Sequence, residues 1–85
     1  KRHYDVMAQV KECKDGFIIA EQRNKFSRGD ELDALMPGEK PVVFTADEIF
    51  DGNDNEIESA PHPMMTVKIK SDLIFPAGTL LRKGK

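Results

Sequence analysis

Cysteine and histidine are scarce in this sequence of 85 residues, and tryptophan is absent. The single thiol, Cys13, has no second cysteine in the chain with which to form a disulfide, which suits a reducing compartment. We therefore expect a cytoplasmic location. A zinc site usually takes about four Cys or His ligands in close pairs. Because the chain offers only Cys13, His3 and His62, far apart in sequence, we predict no metal site and no other cofactor.

The same three side chains are the only source of a nucleophile paired with an imidazole base. Cys13 ends an alternating stretch, where a small buried or edge residue is the ordinary explanation. His62 lies between two prolines, and no acidic residue follows it at a spacing that suggests a catalytic triad. We therefore predict that this chain carries no catalytic residue.

Long apolar runs are also missing. The longest, residues 17–20, has four residues, whereas a helix that crosses a bilayer needs about 20. We predict no contact with a membrane. Residues 1–5 lack an initiator Met and the apolar core of a signal peptide, so we expect a chain cut from a larger protein.

The composition is that of a soluble globular protein, with 33% charged and 39% hydrophobic residues. A chain of this length builds one small core, so we expect a single domain over residues 1–85. The net charge of −2 does not attract nucleic acid to the chain as a whole. Nucleic-acid binding would therefore require a local basic patch.

Alternation with a period of two predicts most of the structure. The first stretch places Tyr4, Val6, Ala8 and Val10 on one face and Asp5, Met7, Gln9 and Lys11 on the other. Asp15 and Gly16 supply turn chemistry before a second β-rich run at residues 17–22, which predicts a hairpin. In the clearest alternation, Met65, Val67 and Ile69 are predicted to be buried and Lys68 and Lys70 exposed.

Further strand-like stretches lie at residues 32–36, 42–46, 56–60 and 79–82, with turn signals between them. Helix competes with strand at residues 30–36 and is the other short possibility at residues 46–50. Six or so short strands without a convincing helix predict an all-β fold, either a small barrel or a sandwich. We favour a closed or partly open β-barrel, because closure removes exposed sheet edges.

Residues 51–55 place oxygen-bearing side chains at alternate positions, as the first half of a calcium loop does. An EF-hand loop needs Gly at its sixth position and Glu at its twelfth. This sequence has Glu56 and His62 there, so we predict a β-turn instead. Gly52 and either Asn53 or Asn55 are expected to take positive φ.

The most distinctive cluster is a basic stretch with one aromatic residue in an acidic chain: Arg23, Lys25, Arg28 and Phe26. These groups could hold a phosphate backbone or an acidic partner surface. Alternatively, the stretch is a structural connection in which Asn24 and Gly29 adopt special backbone angles and Phe26 closes one end of the barrel. We favour the structural interpretation.

The pattern Gln-Arg-Asn-x-Phe-x-x-Gly-Asp at residues 22–30 resembles the C-terminal domain of peptidase family U-32. The sequence Ala-Pro-His-Pro at residues 60–63 and the strand at residues 65–69 support this resemblance, which covers roughly residues 4–82. The resemblance implies a small β-barrel similar to the second domain of translation elongation factors, attached behind a larger catalytic domain. Members of the family are classed as collagenase-like peptidases of unresolved catalytic type, and relatives take part in hydroxylating a uridine in transfer RNA.

The resemblance implies a non-catalytic, lid-like accessory domain that packs beside the catalytic domain of the same parent chain. There it would help to admit or orient a macromolecular substrate, such as a collagen-like protein. The alternative is an RNA-binding barrel that presents transfer RNA to the catalytic domain. The substrate-binding or partner-binding residues predicted for either function are Arg23, Asn24, Lys25, Phe26, Arg28 and His62.

Overall fold

A computed structural model describes residues 4–60 and 62–84, and these residues form ten β-strands and no helix. The strands are β1 (Tyr4–Lys14), β2 (Phe17–Gln22), β3 (Phe26–Ser27), β4 (Glu31–Leu35), β5 (Val42–Thr45), β6 (Ile49–Asp51), β7 (Glu56–Ile57), β8 (Ser59–Ala60), β9 (Thr66–Lys70) and β10 (Leu80–Gly84). The predicted all-β fold is confirmed. The helical alternatives are wrong, because residues 30–36 contain β4 and residues 46–50 run into β6. Within the described ranges, no helix is long and apolar enough to cross a membrane.

Eight strands form one antiparallel sheet in the order β5-β4-β10-β1-β2-β9-β6-β7, and β3 pairs with β8 in a second, two-stranded sheet. The large sheet curls, and the segment after β3 reaches both of its edges. The N–H of Gly29 donates to the carbonyl of Ala46, just after edge strand β5, at 2.8 Å, and the N–H of Arg28 donates to the carbonyl of Glu58, just after edge strand β7, at 2.8 Å. This bridge makes the fold a partly open β-barrel, as predicted.

Strand β1 contains two irregularities that the alternation did not predict. Its register shifts between Val6 and Ala8, where it pairs with β10, and between Val10 and Glu12, where it pairs with β2. Each shift inserts one extra residue, as in a β-bulge, which bends a strand and increases its twist. Met7 is consequently buried next to Ala8, so the prediction that it faces outward is wrong.

The predicted hairpin between β1 and β2 is confirmed. Lys14 pairs with Phe17, leaving Asp15 and Gly16 as a two-residue loop with φ values of 55° and 81°. Positive φ at both positions is the signature of a type I′ turn, whose twist matches that of the flanking strands. We call this end of the barrel the hairpin end.

The core confirms the strand face predicted for β9. Val67 and Ile69 are fully buried in the same core as Ala8 and Val10 from β1, and Lys70 is exposed. Val6, Met65 and Lys68 are half-buried, so the prediction is correct for the central residues and only approximate at these three positions.

The loop at residues 51–55 is a turn, as predicted, but a different residue takes the unusual backbone angle. Asp54 has a φ of 66°, whereas Gly52, Asn53 and Asn55 are not in the positive-φ region. The Asp51 carboxylate accepts hydrogen bonds from the N–H groups of Asn53 and Asn55 at 2.8 and 3.0 Å. These bonds fix the turn from its first residue, and among the later positions only Asp54 takes a left-handed angle.

Candidate functional site

The stretch at residues 22–30 begins with a buried polar side chain. Gln22, the last residue of β2, is 0% exposed, and its Nε2 donates to the carbonyls of Asn24 and Ala60. Its backbone N–H donates to the carbonyl of Met65 at 2.8 Å, and its own carbonyl accepts from the N–H of Met64 at 2.7 Å. Gln22 therefore connects the segment that follows β2 with the end of β8 and with the residues that precede β9.

Asn24 holds the beginning of β1. Its Nδ2 donates to the carbonyl of Val6 at 2.7 Å, and the N–H groups of Arg23 and Asn24 both donate to the carbonyl of Met7. Asn24 does not have a positive φ, so the prediction of a special backbone angle there is wrong. Asn24 contributes instead through its side-chain amide, which gives a strand carbonyl a hydrogen-bond partner.

Gly29 has the special backbone angle that the sequence suggested, and Phe26 is buried. Phe26 is 1% exposed and pairs with Ala60 in the small sheet. Gly29 has a φ of 91°, which a residue with a Cβ adopts only with strain. The carboxylate of Asp30 accepts a hydrogen bond from the N–H of Ser27 at 2.8 Å and completes this turn.

Carboxylates neutralise two of the three cations in the basic cluster. Arg28 lies 3.0 Å from Glu58 and 3.7 Å from Glu56. Arg23 donates to the side chain of Gln9 at 2.7 Å and lies 3.7 Å from Glu21. The cluster is therefore not a patch of free positive charge.

Lys25 and His62 are exposed, and neither makes an ion pair or side-chain hydrogen bond within the described part of the chain. Met64, two residues after His62, is bonded to Gln22, which places His62 at the same end of the barrel as the basic stretch. The structure brings these exposed residues to one end, but Phe26 is in the core. A binding role for this group stays a prediction.

Cys13, the only cysteine in the sequence, is hydrogen-bonded to the backbone of Phe75. The thiol of Cys13 donates to the carbonyl of Phe75 at 3.6 Å and accepts from the N–H of Phe75 at 3.4 Å. Cys13 pairs with Ile18 near the hairpin end, whereas the His62 segment is attached to Gln22. Four residues of extended strand, about 13 Å, separate Ile18 from Gln22, so this thiol and this imidazole do not form a nucleophile pair.

A different surface, which the sequence did not reveal, lies on the outside of the sheet near the hairpin end. Directly opposite residues on antiparallel strands point to the same face. Lys14 and Lys70 lie opposite Phe17, and Lys68 lies opposite both Ile19 and Phe50. We call this surface the aromatic face, defined as Lys14, Phe17, Ile19, Phe50, Lys68 and Lys70.

An open groove of about 410 Å³ runs over the aromatic face and is lined by all of its residues except Lys70, which lies opposite Phe17 on β9. The half-buried rings of Phe17 and Phe50 meet edge to face, with centroids 5.5 Å apart and planes at 87°. A second hollow of about 140 Å³ continues past Phe17 to Leu73 and Ile74, and Ile74 is 80% exposed. The hairpin end therefore carries two adjoining hollows with apolar side chains beside charged ones.

The lysines of the aromatic face differ in their surroundings. Lys68 forms an ion pair with Asp54 at 2.6 Å. Lys14 and Lys70 are exposed and have no ion pair with any residue that the structure describes. Asp15 also lines the groove, so the face has both signs of charge, with two cations free.

The class of protein is a small, partly open all-β barrel, and the motif at residues 22–30 helps to close it. The chain belongs to the peptidase family U32 C-terminal domain, whose family model matches residues 2–82. This confirms the resemblance stated from the sequence. The chain is also 35% identical over 68 residues to the tRNA hydroxylation protein P1 of Bacillus subtilis (strain 168). That match covers 80% of this chain and 16% of the relative's length.

Two crystal structures have the same fold. The selenomethionine variant of the C-terminal domain of a Geobacillus thermoleovorans protein described as a U32 peptidase is 27% identical, with a TM-score of 0.85 over 93% of this chain and 99% of that one. A second structure of that domain is 24% identical, with a TM-score of 0.84 over 95% of this chain and 92% of that one. Because these crystallised chains consist almost entirely of the barrel, the Geobacillus thermoleovorans domain folds apart from the rest of its parent.

Proposed function

We propose that this domain is a non-catalytic accessory module of a U32 family protein, which helps to admit or orient a macromolecular substrate for the rest of its parent. The aromatic face is the observation that carries the proposal. It is an open, apolar groove beside exposed lysines, whereas the family motif is used mainly to close the barrel. Exposed apolar side chains rimmed by charged residues are the kind of surface found at interaction sites.

The position of the aromatic face supports a role in contacting substrate. The part of the parent that precedes a C-terminal domain joins it at the start of β1, beside the basic stretch. The hairpin end lies at the other end of this 11-residue strand, roughly 30 Å away. We therefore expect the basic stretch to face the preceding part of the parent and the aromatic face to remain open.

The chain's own side chains support a non-catalytic role. The Cys13 thiol bonds to the Phe75 backbone, and no hydrogen bond joins it to an acidic or basic side chain within the described ranges. The chain corresponds to only 16% of the length of its Bacillus subtilis relative. We place the chemistry in the remainder of the parent.

The test compares the parent protein with and without this domain. Deletion should raise KM for the macromolecular substrate by about tenfold or more, with a much smaller change in kcat, because positioning is lost and the chemistry is elsewhere. Unchanged KM and kcat would contradict the proposal.

The isolated domain should have no activity on gelatin or casein. Cleavage that persists through purification and disappears in Cys13→Ala or His62→Ala would show that the domain is itself a peptidase.

A second form of the proposal names transfer RNA as the substrate, and the relative in Bacillus subtilis favours it. In this form the barrel presents the RNA to the catalytic part of the parent. No feature of the described residues favours a collagen-like protein substrate in the same way.

A further inference from the structure

We propose that the aromatic face binds single-stranded RNA, with bases stacked on Phe17 and Phe50 and phosphates held by Lys14 and Lys70. This inference rests on the proposed function and gives its substrate class and its site. Nucleic-acid-binding sheets use the same two elements, because every base has a face that stacks on an aromatic ring and every phosphate attracts a cation.

The strand register produces the required arrangement. Lys14, Phe17 and Lys70 lie directly opposite one another on β1, β2 and β9, so one ring has a lysine on each side. Neighbouring strands are about 4.8 Å apart, so the two lysine backbones are about 10 Å apart, with the ring between them. Phe50 lies in the next row, beside Lys68. A base on Phe17 would thus have cations within reach of the phosphates on both of its sides.

The free lysines distinguish this surface from the basic stretch. Binding a phosphate at Arg28 would compete with Glu56 and Glu58, and binding at Arg23 would compete with Glu21. Lys14 and Lys70 have no ion pair with any described residue, so a phosphate can bind them without displacing a carboxylate. Lys25 in the basic stretch also has no ion pair with a described residue, but its neighbour Phe26 is buried. Unpaired lysines and accessible rings therefore occur together at the aromatic face, in a chain whose net charge is negative.

Two carboxylates at the groove oppose RNA binding and supply a sensitive test. Asp54 neutralises Lys68 at 2.6 Å, and Asp15 lies in the adjoining turn. Both have positive φ, at 66° and 55°. Asparagine tolerates this region well, so replacing either Asp by Asn removes a negative charge and preserves the turn. If the groove binds RNA, both changes should strengthen binding.

The experiment measures the fluorescence anisotropy of a labelled single-stranded RNA, a duplex of the same sequence and an unmodified transfer RNA transcript, each titrated with the 85-residue chain. We expect the single strand and the transfer RNA to bind more tightly than the duplex. Phe17→Leu and Phe50→Leu should each weaken binding roughly tenfold, because stacking is lost while apolar bulk is retained.

The charge variants test the phosphate contacts. Lys14→Gln combined with Lys70→Gln should weaken binding roughly tenfold and reduce the salt slope by about 1.4, the value for two contacts to a single strand. Asp54→Asn and Asp15→Asn should each strengthen binding severalfold. Lys40→Gln is the matched control, because it removes an exposed charge from the loop between β4 and β5, two strands that carry no residue of the aromatic face, and it should leave affinity unchanged. Thermal unfolding of every variant verifies that the fold is intact.

Two results would overturn the inference. One is unchanged RNA affinity in folded Phe17→Leu and in the double lysine variant, and the other is weaker binding in Asp54→Asn. If deletion of the domain still raises the parent's KM in that case, the proposed function stands and the aromatic face contacts a protein instead. If deletion has no effect on KM, the proposed function itself fails, whatever the RNA titrations show.

Discussion

The basic stretch at residues 22–30 and the aromatic face lie toward opposite ends of β2 and use their side chains in opposite ways. The basic stretch stands out in the sequence, yet Gln22 and Phe26 are buried and its two arginines are paired with carboxylates. Phe17 and Phe50 lie in ordinary strand-like sequence, yet they meet on an open surface. A distinctive sequence pattern can therefore reflect an unusual backbone conformation rather than a binding site.

The backbone between β2 and β4, where the barrel closes, has to find hydrogen-bond partners outside the large sheet. Between β2 and β4 the chain leaves the large sheet, so its N–H and carbonyl groups need other partners. Met7, Ala46 and Glu58 supply backbone carbonyls, and Gly29 makes the required turn with a φ of 91°. Side chains that satisfy such geometry are restricted in type, and this restriction explains the pattern without a ligand.

The largest expected difference between the basic stretch and the aromatic face is in the free energy of unfolding. Phe26→Ala should lower the free energy of unfolding by about 3–5 kcal/mol, because it removes a ring that is 1% exposed from the core. Phe17→Ala, the matched change on the aromatic face, should lower it by only about 1 kcal/mol, because that ring is half-buried. Urea unfolding followed by circular dichroism measures both. Equal losses would mean that Phe17 is a core residue and that the two regions do not differ.

Much of the fold was predictable, because local pattern determined it. Alternation placed Val67 and Ile69 inside, and Asp15 with Gly16 identified the hairpin turn. The bulge that buries Met7 was not predictable, because an extra residue in a strand is specified by its partners rather than by its own pattern. Strands of two or three residues, such as β3 and β6, are too short to show a period.

The aromatic face was not predictable for a related reason. Its residues are distributed over positions 14 to 70, and only the pairing of β1, β2, β9 and β6 brings them together. The residues of the basic stretch are neighbours in sequence, so the sequence displays them as a cluster. Proximity in sequence therefore made the basic stretch visible as a candidate, whereas the aromatic face is visible only in the folded chain.

A smaller effect tests whether the basic stretch has any part in RNA binding. Replacing Arg23, Lys25 and Arg28 together by Gln removes three positive charges and approximately preserves side-chain length. Exposed ion pairs contribute about 0–1 kcal/mol each, so we expect the Tm to fall by several degrees. RNA affinity and its salt dependence should change far less than in the Lys14 and Lys70 double variant. Loss of transfer RNA binding without loss of stability would reverse the assignment of the two regions.

The smallest expected effect concerns the turn that positions Asp54 at the groove. The N–H of Asn55, donating to Asp51, lowers the pKa of that carboxyl below its ordinary value; partial burial opposes the shift and the N–H of Asn53 adds to it. A lowered pKa in the folded state means that the unfolded chain binds the proton more readily. The stabilisation from ionised Asp51 is therefore fully present above about pH 4 and is lost as the pH falls through the lower, folded-state pKa.

Asp51→Asn should remove this part of the pH dependence, because an amide does not titrate and its oxygen still accepts hydrogen bonds. The difference in stability between wild type and variant should therefore be constant above about pH 4 and should change only in more acidic solution. Nuclear magnetic resonance titration of the Asp51 carboxyl carbon measures the pKa directly. A value at or above that of Asp in an unfolded chain would show that the two N–H donors do not hold the carboxylate. If the two N–H groups do hold the carboxylate, protonation of Asp51 should also weaken the ion pair between Asp54 and Lys68. Acidification should then alter the aromatic face and leave the basic stretch unchanged.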